Sequence, residues 1–200
     1  MEVKTQPRNG AKAKFNLREN FTYRLFDKDG NVKPLFQLNK IGQYLMKRGV
    51  ITPNTAPTLL MALGLGSWKN EMRLANLITT AGKAGVASRI NGSGGEAAFT
   101  YLAIGTGTTA AAVGDTALQT EITTGGGARA AATASRTTTD TTNDTARLVY
   151  TWTFSSSFAV TEAGALNAAS SGTLLNRQVF TAVNVVSGDS LQVTVDIDVD

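Results

Sequence analysis

The chain contains no cysteine and no histidine among its 200 residues. Without cysteine there is no disulfide, no thiol nucleophile and no cysteine-ligated metal site. Without histidine the commonest general base is missing, so a Ser-His-Asp triad and a Cys-His pair are both excluded. Composition alone leaves open an enzyme that relies on aspartate, glutamate, lysine or a carboxylate-held metal.

Long apolar runs are also absent. No run approaches the roughly 18 residues that a membrane-spanning helix needs. The first 20 residues have almost no apolar block, which is unlike a secretory signal peptide. We therefore expect no membrane partner and an intracellular origin, and a virus particle assembled in a host cytoplasm fits the same facts.

Charge divides the chain into two parts. Up to Arg89 there are 15 basic and 5 acidic residues, whereas from Ile90 onward there are 4 basic and 10 acidic residues. Residues 1–20 are polar and basic, which predicts an extended arm that only a partner can order. The basic residues of this arm are its expected partner contacts: Lys4, Arg8, Lys12, Lys14 and Arg18. Because no nucleic-acid motif accompanies them, a protein partner is favoured over nucleic acid.

Residues 21–90 predict a hairpin followed by a helical section. Asp27-Lys-Asp-Gly-Asn31 lies between two alternating apolar runs, a strong hairpin signal, and a turn is favoured there over a calcium loop because the EF-hand spacing is missing. Pro34 has no N–H, so the second strand should lie at a sheet edge. Three helices are predicted, over residues 41–48, 57–65 and 71–90, the last from apolar residues near 3.6-residue spacing.

Residues 91–200 predict an antiparallel β module, because the period of the apolar residues changes to two after the glycine-rich segment 91–95. The closing strand has alternating residues that are expected to point inward: Leu191, Val193, Val195, Ile197 and Val199. The predicted fold class is α+β, mainly β. It comprises an arm (1–20), a hairpin with a helical section (21–90) and an antiparallel β-sandwich or Greek-key barrel (91–200).

Two segments resemble sites for a cofactor or a cation. Gly105-Thr-Gly-Thr-Thr-Ala110 formally matches a dinucleotide-binding pattern, but no periodic helix follows it, so a plain glycine-rich loop is favoured. Asp196, Asp198 and Asp200 share one strand face, where they could bind a hard cation or a neighbour's basic arm. A solvated face is favoured for them, and we expect no cofactor and no metal.

Two glutamates are the candidate carboxylates of a glycosidase. Such an enzyme needs two carboxylates a few ångströms apart in a cleft. Glu121 and Glu162 are internal to the β module, but little aromatic lining for sugar stacking surrounds them. For Glu162 we favour a structural hydrogen bond to a turn amide, and we expect no catalytic residue.

An ordered series of motifs resembles small structural proteins of tailed bacteriophages. The motifs are Phe99-Thr-Tyr-Leu-Ala-Ile-Gly-Thr-Gly-Thr-Thr109, Gly114-Asp-Thr-Ala-Leu-Gln-Thr-Glu-Ile122, Val160-Thr-Glu-Ala-Gly164, Arg177-Gln-Val-Phe180 and Gly188-Asp-Ser-Leu-Gln-Val193. The resemblance covers about residues 74–200. It departs from the family at Ala165-Leu-Asn167, where an apolar aromatic is usual.

The resemblance implies a virion component rather than an activity. We expect a capsid cement or decoration protein that clamps neighbouring coat subunits through the basic arm. The alternative is a neck, baseplate or fibre-attachment protein of the tail, in which the hairpin adds strands to a neighbouring sheet. Either role predicts a homo-oligomer, as a trimer or ring, with phage coat or other virion proteins as partners.

Overall fold

The computed structural model describes residues 17–199. The strands are β1 (Leu17–Phe26), β2 (Val32–Lys33), β3 (Leu35–Leu38), β4 (Gly66–Lys69), β5 (Met72–Ala75), β6 (Leu77–Ile78), β7 (Tyr101–Gly105), β8 (Ala130–Ala131), β9 (Thr133–Thr137), β10 (Thr145–Thr153), β11 (Phe158–Leu166), β12 (Leu174–Val185) and β13 (Ser190–Val199). The helices are α1 (Lys40–Lys47), α2 (Pro57–Ala62) and α3 (Thr80–Asn91).

Two antiparallel sheets face each other across one core. The first has the order β2-β1-β13-β10-β9, with β5 also paired to β1, and the second has the order β6-β12-β11-β7-β8. Apolar residues of both sheets form a single cluster. Tyr23 of β1 and Phe180 of β12 meet within it, with ring centroids 4.4 Å apart. The predicted α+β, mainly β sandwich is confirmed.

The first strand begins inside the predicted arm. β1 pairs with β13 along its whole length, from Leu17 opposite Val199 to Phe26 opposite Ser190. The last four residues of the predicted arm, 17–20, therefore belong to the sandwich, because their alternation continues the buried face of β1. Since β1 and β5 share a sheet with β13, the predicted boundary at residue 91 does not coincide with a division of the β core.

The predicted hairpin is present but short. β2 pairs with β1 at only two positions, at the sheet edge as Pro34 predicts. Asp27 closes the turn, because its Oδ1 accepts hydrogen bonds from the N–H groups of Asp29 at 2.9 Å and Asn31 at 2.8 Å. The second apolar run of the predicted hairpin extends from Val32 to Leu38, but after Pro34 the chain leaves β1 and pairs as β3 with β4, so this part of the prediction is wrong.

The first part of the predicted helix over residues 71–90 forms strands β5 and β6 instead of helix. Met72 and Leu74 are buried and their neighbours are exposed, so this segment satisfies a two-residue period and pairs with β1. The helix starts only after Thr79, whose hydroxyl accepts from the Gly82 N–H at 2.8 Å. A Cβ on Gly82 would lie 2.1 Å from the Leu175 carbonyl oxygen, so this glycine lets α3 approach β12 closely.

Residues 35–69 form a separate small unit, here called the helical lobe, made of β3, α1, α2 and β4. Its own apolar cluster consists of Phe36, Leu38, Leu60 and Leu65. Both lobe helices were predicted, although α2 ends three residues early. The N-cap of α1 is Asn39, whose side chain accepts from the Gly42 N–H.

A bulge in β12 holds the helical lobe on the sandwich. Between the β11–β12 pairs Val160–Val183 and Glu162–Val179, three residues of β12 face one residue of β11. Two of these three turn to the lobe: the Thr181 hydroxyl donates to the Phe36 carbonyl at 2.6 Å, and the Ala182 N–H donates to the Pro53 carbonyl at 2.9 Å. Bulges free backbone and side-chain groups from the ladder in this way.

The closing strand agrees with its predicted alternation except at its end. Leu191, Val193, Val195 and Ile197 are buried as predicted. Val199, predicted inward, is 45% exposed, whereas Asp198, predicted outward, is 5% exposed. The core ends before Val199, and the Asp198 carboxylate lies 3.4 Å from the Thr145 hydroxyl on β10.

Candidate assembly surface

Glu162, in the Thr-Glu-Ala-Gly motif of β11, is fully buried. Its Oε1 accepts from the Gly107 N–H at 3.0 Å and the Thr120 N–H at 2.7 Å. Its Oε2 accepts from the Gln119 N–H at 3.0 Å and from Nε of Arg177 at 2.8 Å. The predicted hydrogen bond to turn amides is confirmed, and the carboxylate is a structural anchor for the loop between residues 106 and 121.

Arg177, in the Arg-Gln-Val-Phe motif of β12, completes this anchor. Its side chain is 3% exposed and reaches Glu162 because the two residues lie on neighbouring strands. Nη1 donates to Asp115 at 2.8 Å, and Nη2 donates to the Thr109 carbonyl at 3.1 Å. A buried cation needs such complete pairing, because an isolated buried charge is costly.

The glycines of the dinucleotide-like pattern serve the same carboxylate. A Cβ on either Gly105 or Gly107 would lie 2.5 Å from Oε1 of Glu162. The segment that follows, residues 106–120, contains no helix. The pattern is therefore the plain glycine-rich loop that was favoured, and its glycines are explained by close packing against Glu162.

Glu121, the second candidate carboxylate, is held by Arg129. The pair is bidentate, with Nε–Oε1 at 2.9 Å and Nη2–Oε2 at 2.6 Å. Arg129 also donates to the carbonyls of Ala168 and Ser171. Both carboxylates of the glycosidase alternative thus have arginine partners inside the fold.

The C-terminal acidic row does not form a single site in the described residues. Asp196 makes a bidentate pair with Arg147, at 2.6 and 2.8 Å, and this pairing raises the pKa of the arginine. Asp198 is buried beside Thr145, and Asp200 lies outside the described residues. Within residues 17–199, no group of three or more potential metal-ligating side chains converges.

Most of the predicted partner contacts in the arm lie outside the described residues: Lys4, Arg8, Lys12 and Lys14. Arg18 is the exception, since it is an exposed residue of β1 opposite Asp198 of β13. The next residue, Glu19, points inward, and its Oε2 accepts from Nδ2 of Asn176 at 2.9 Å. Burial raises the pKa of Glu19 to about 7.

The helical lobe exposes an unusual concentration of large apolar side chains. Seven of the twelve that are exposed in the described residues lie on it: Ile41, Tyr44, Val50, Leu59, Met61, Leu63 and Trp68. On α2 only Leu60 is buried, although the helix also contains Leu59 and Met61. Exposed apolar side chains concentrated in this way are typical of protein interaction sites.

The charged residues of the same lobe are all basic. It contains Lys40, Lys47, Arg48 and Lys69 and no aspartate or glutamate. Arg48 lies over the ring of Tyr44, with its guanidinium carbon 5.4 Å from the ring centroid. Among residues 17–199, no acidic side chain forms an ion pair with these four cations. Sequence reasoning missed this surface, although the absence of acidic residues from 32 to 70 was a visible signal.

These observations define the class of the protein as an antiparallel β-sandwich with an apolar, cationic lobe on its side. No family model, curated protein or solved structure matches the chain. None of the helices within residues 17–199 has the length and apolar character that crossing a membrane requires.

Proposed function

We propose that the chain is a non-enzymatic structural subunit of a tailed-bacteriophage particle, acting as a capsid cement protein. The observation that carries the proposal is the helical lobe, which concentrates seven exposed large apolar side chains and four cations that have no ion-pair partner among residues 17–199. Its partner is a coat protein with an acidic surface. The ordered phage-like motifs support the particle, and the lobe supports assembly.

The phage-like motifs have a structural use in this fold. Glu162 and Arg177 come from two of them, and together they hold a loop that a third motif, residues 114–122, supplies. A network of this kind stabilises one loop conformation without leaving a free acid or base. This supports a scaffold rather than a glycosidase.

The basic arm and the lobe act together in the proposed clamp. The arm enters the sandwich through β1, and the lobe is fixed to β12. Each contact can be weak when many identical copies bind a symmetric shell, because the first contact raises the effective concentration of the second. We propose a trimer or ring as the assembled form.

A second candidate function, a neck, baseplate or fibre-attachment part of the tail, is favoured by one observation. β9 is the outer strand of its sheet and pairs only with β10 among the described residues. Four of its five residues are exposed. An open edge of this kind accepts a strand from a neighbouring subunit, which suits a ring.

Quantitative mass spectrometry of purified particles tests the proposal. A cement protein is expected at a copy number comparable with that of the coat protein. A handful of copies per particle would instead favour the assignment to the tail. Absence from purified particles would overturn the virion role altogether. A truncation of residues 2–16, which spares β1, is expected to fold normally and to incorporate poorly.

A further inference from the structure

A half-open pocket lies where the helical lobe meets the sandwich. It has a volume of about 200 Å³. Its apolar lining comes from four separate parts of the chain, including Met46 of α1, Met72 and Leu74 of β5, Ala111 of the glycine-rich loop and Phe180 of β12. An apolar cavity of about 150 Å³ is large enough to bind benzene. The pocket therefore has room for one large apolar side chain.

One charged residue lines this pocket. Lys47, the last residue of α1, is exposed and has no ion-pair partner among residues 17–199. The other polar lining groups are amides and hydroxyls, such as those of Gln43, Gln178 and Thr181. The pocket thus combines a mainly apolar lining with a single positive charge.

We propose that this pocket is a socket for one apolar side chain of a partner virion protein, and that Lys47 binds a carboxylate beside that side chain in the partner. The inference rests on the proposed assembly role and adds the chemistry of the partner. Charge complementarity carries it, because the lobe has four cations and no acidic residue. The partner segment is extended and acidic, with a leucine, methionine or phenylalanine at its centre.

The composition of the lining suits such an occupant. Methionine side chains are flexible and polarisable, so they adapt to inserted apolar groups. An apolar side chain that enters a pocket at the centre of an interface commonly contributes most of the binding free energy. Because the pocket lies between α1 and β12, its occupant would also tie the lobe to the sandwich.

Methyl NMR of the full-length protein tests the socket without any particle. The probe is the peptide acetyl-Gly-Asp-Leu-Asp-Gly-amide, titrated into protein labelled with ¹³C at the methionine methyl groups. Saturable shifts are expected at Met46 and Met72, which line the pocket, and none at Met61, which is exposed elsewhere on the lobe. No saturable shift at the two pocket methionines would overturn the proposal.

Two matched peptides and two matched variants separate the parts of the proposal. Replacing leucine by alanine in the peptide should abolish binding, and replacing both aspartates by lysine should weaken it about fivefold, the effect of one exposed ion pair. Lys47→Ala should remove the preference for the acidic peptide over the basic one. Lys40→Ala, on the same helix but outside the pocket, should retain this preference. Equal affinity for the acidic and basic peptides would overturn the role of Lys47.

A small apolar acid is the competing occupant, and hexanoate is the probe for it. Tighter binding of hexanoate than of the leucine peptide would overturn the partner assignment and make the pocket a small-molecule site. Failure of the virion proposal has a different signature, since the protein would then be absent from particles while the peptide shifts at Met46 and Met72 persisted.

Discussion

Glu162→Gln is expected to be one of the most destabilising single-atom changes in this protein. Glutamine has the same shape, but it replaces one carboxylate oxygen with an NH₂ group. Whichever oxygen is lost, two donors lose their acceptor, and one donor of each pair is buried: either the Gly107 and Thr120 amides, or the Gln119 amide and the Arg177 guanidinium. The new NH₂ group is a donor that faces other donors, at a side chain that is itself fully buried.

The expected loss follows from these two outcomes. A buried donor left without a partner costs about 1–3 kcal/mol, and breaking a buried ion pair costs about 3–5 kcal/mol. Arg177 keeps its contacts with Asp115 and the Thr109 carbonyl, which limits the loss. We expect about 3–5 kcal/mol, a large part of the total stability of about 5–15 kcal/mol that is typical of a domain.

Urea unfolding followed by tryptophan fluorescence measures this loss. Trp152 is a suitable probe because it is buried in the core and donates to the Ala128 carbonyl at 2.7 Å. Amide exchange should also accelerate at Gly107, Gln119 and Thr120, the three residues whose backbone N–H groups bind the carboxylate.

Glu121→Gln is the matched control. Its carboxylate is 20% exposed, and Arg129 retains two carbonyl acceptors when the pair is weakened, so a loss of about 1–2 kcal/mol is expected. If Glu162→Gln stays within about 1 kcal/mol of the unmodified protein, or if both variants are equally destabilised, the anchoring role assigned to Glu162 is refuted.

Three further predictions concern the core. Gly82→Ala should lower the free energy of unfolding by about 1–3 kcal/mol in urea or thermal unfolding, because the added methyl group meets the Leu175 carbonyl. An unchanged midpoint would contradict the close packing of α3. Burial raises the pKa of Glu19 from 4.5 to about 7. The free energy of unfolding should therefore be highest below about pH 4.5 and should fall by about 3 kcal/mol as the pH rises through 7. Glu19→Gln should remove that pH dependence, and a variant with the same slope as the parent would show that another group causes it. Val195→Asp should cost several kcal/mol and Thr194→Asp little, and equal tolerance in circular dichroism melts would contradict the register of β13.

Local patterns predicted much of the fold. The alternation of β13, the Asp-Gly turn and both lobe helices depend on neighbours within a few residues, so the sequence shows them directly. Leu74 lies three and four residues before Leu77 and Ile78, a spacing that also predicts a helix, and Met72 falls inside the same predicted range. Pairing with β1, some 50 residues earlier, decides in favour of a strand.

Local sequence patterns could not predict the hydrogen-bond network around Glu162 and Arg177 or the ion pair between Glu121 and Arg129. Glu162 was predicted to bind a turn amide, but its actual donors come from residues 107, 119 and 120 and from Arg177 on the neighbouring strand. Only the register of the sheet brings these groups together. The cationic character of the lobe surface could be predicted, because the sequence shows a run without acidic residues. Its apolar character could not, because the exposure of Leu59 and Met61 depends on how little of α2 the rest of the fold covers.

The pairing of β1 with β13 has a consequence for synthesis on the ribosome. The earliest described strand finds its main neighbour only when the last described strand has left the exit tunnel. Until then Phe21, Tyr23 and Leu25 lack the sheet that buries them. Contacts between such distant residues slow folding, and exposed strand edges invite aggregation in the meantime. We therefore expect a nascent chain of this protein to expose the apolar face of β1 until β13 completes the sheet.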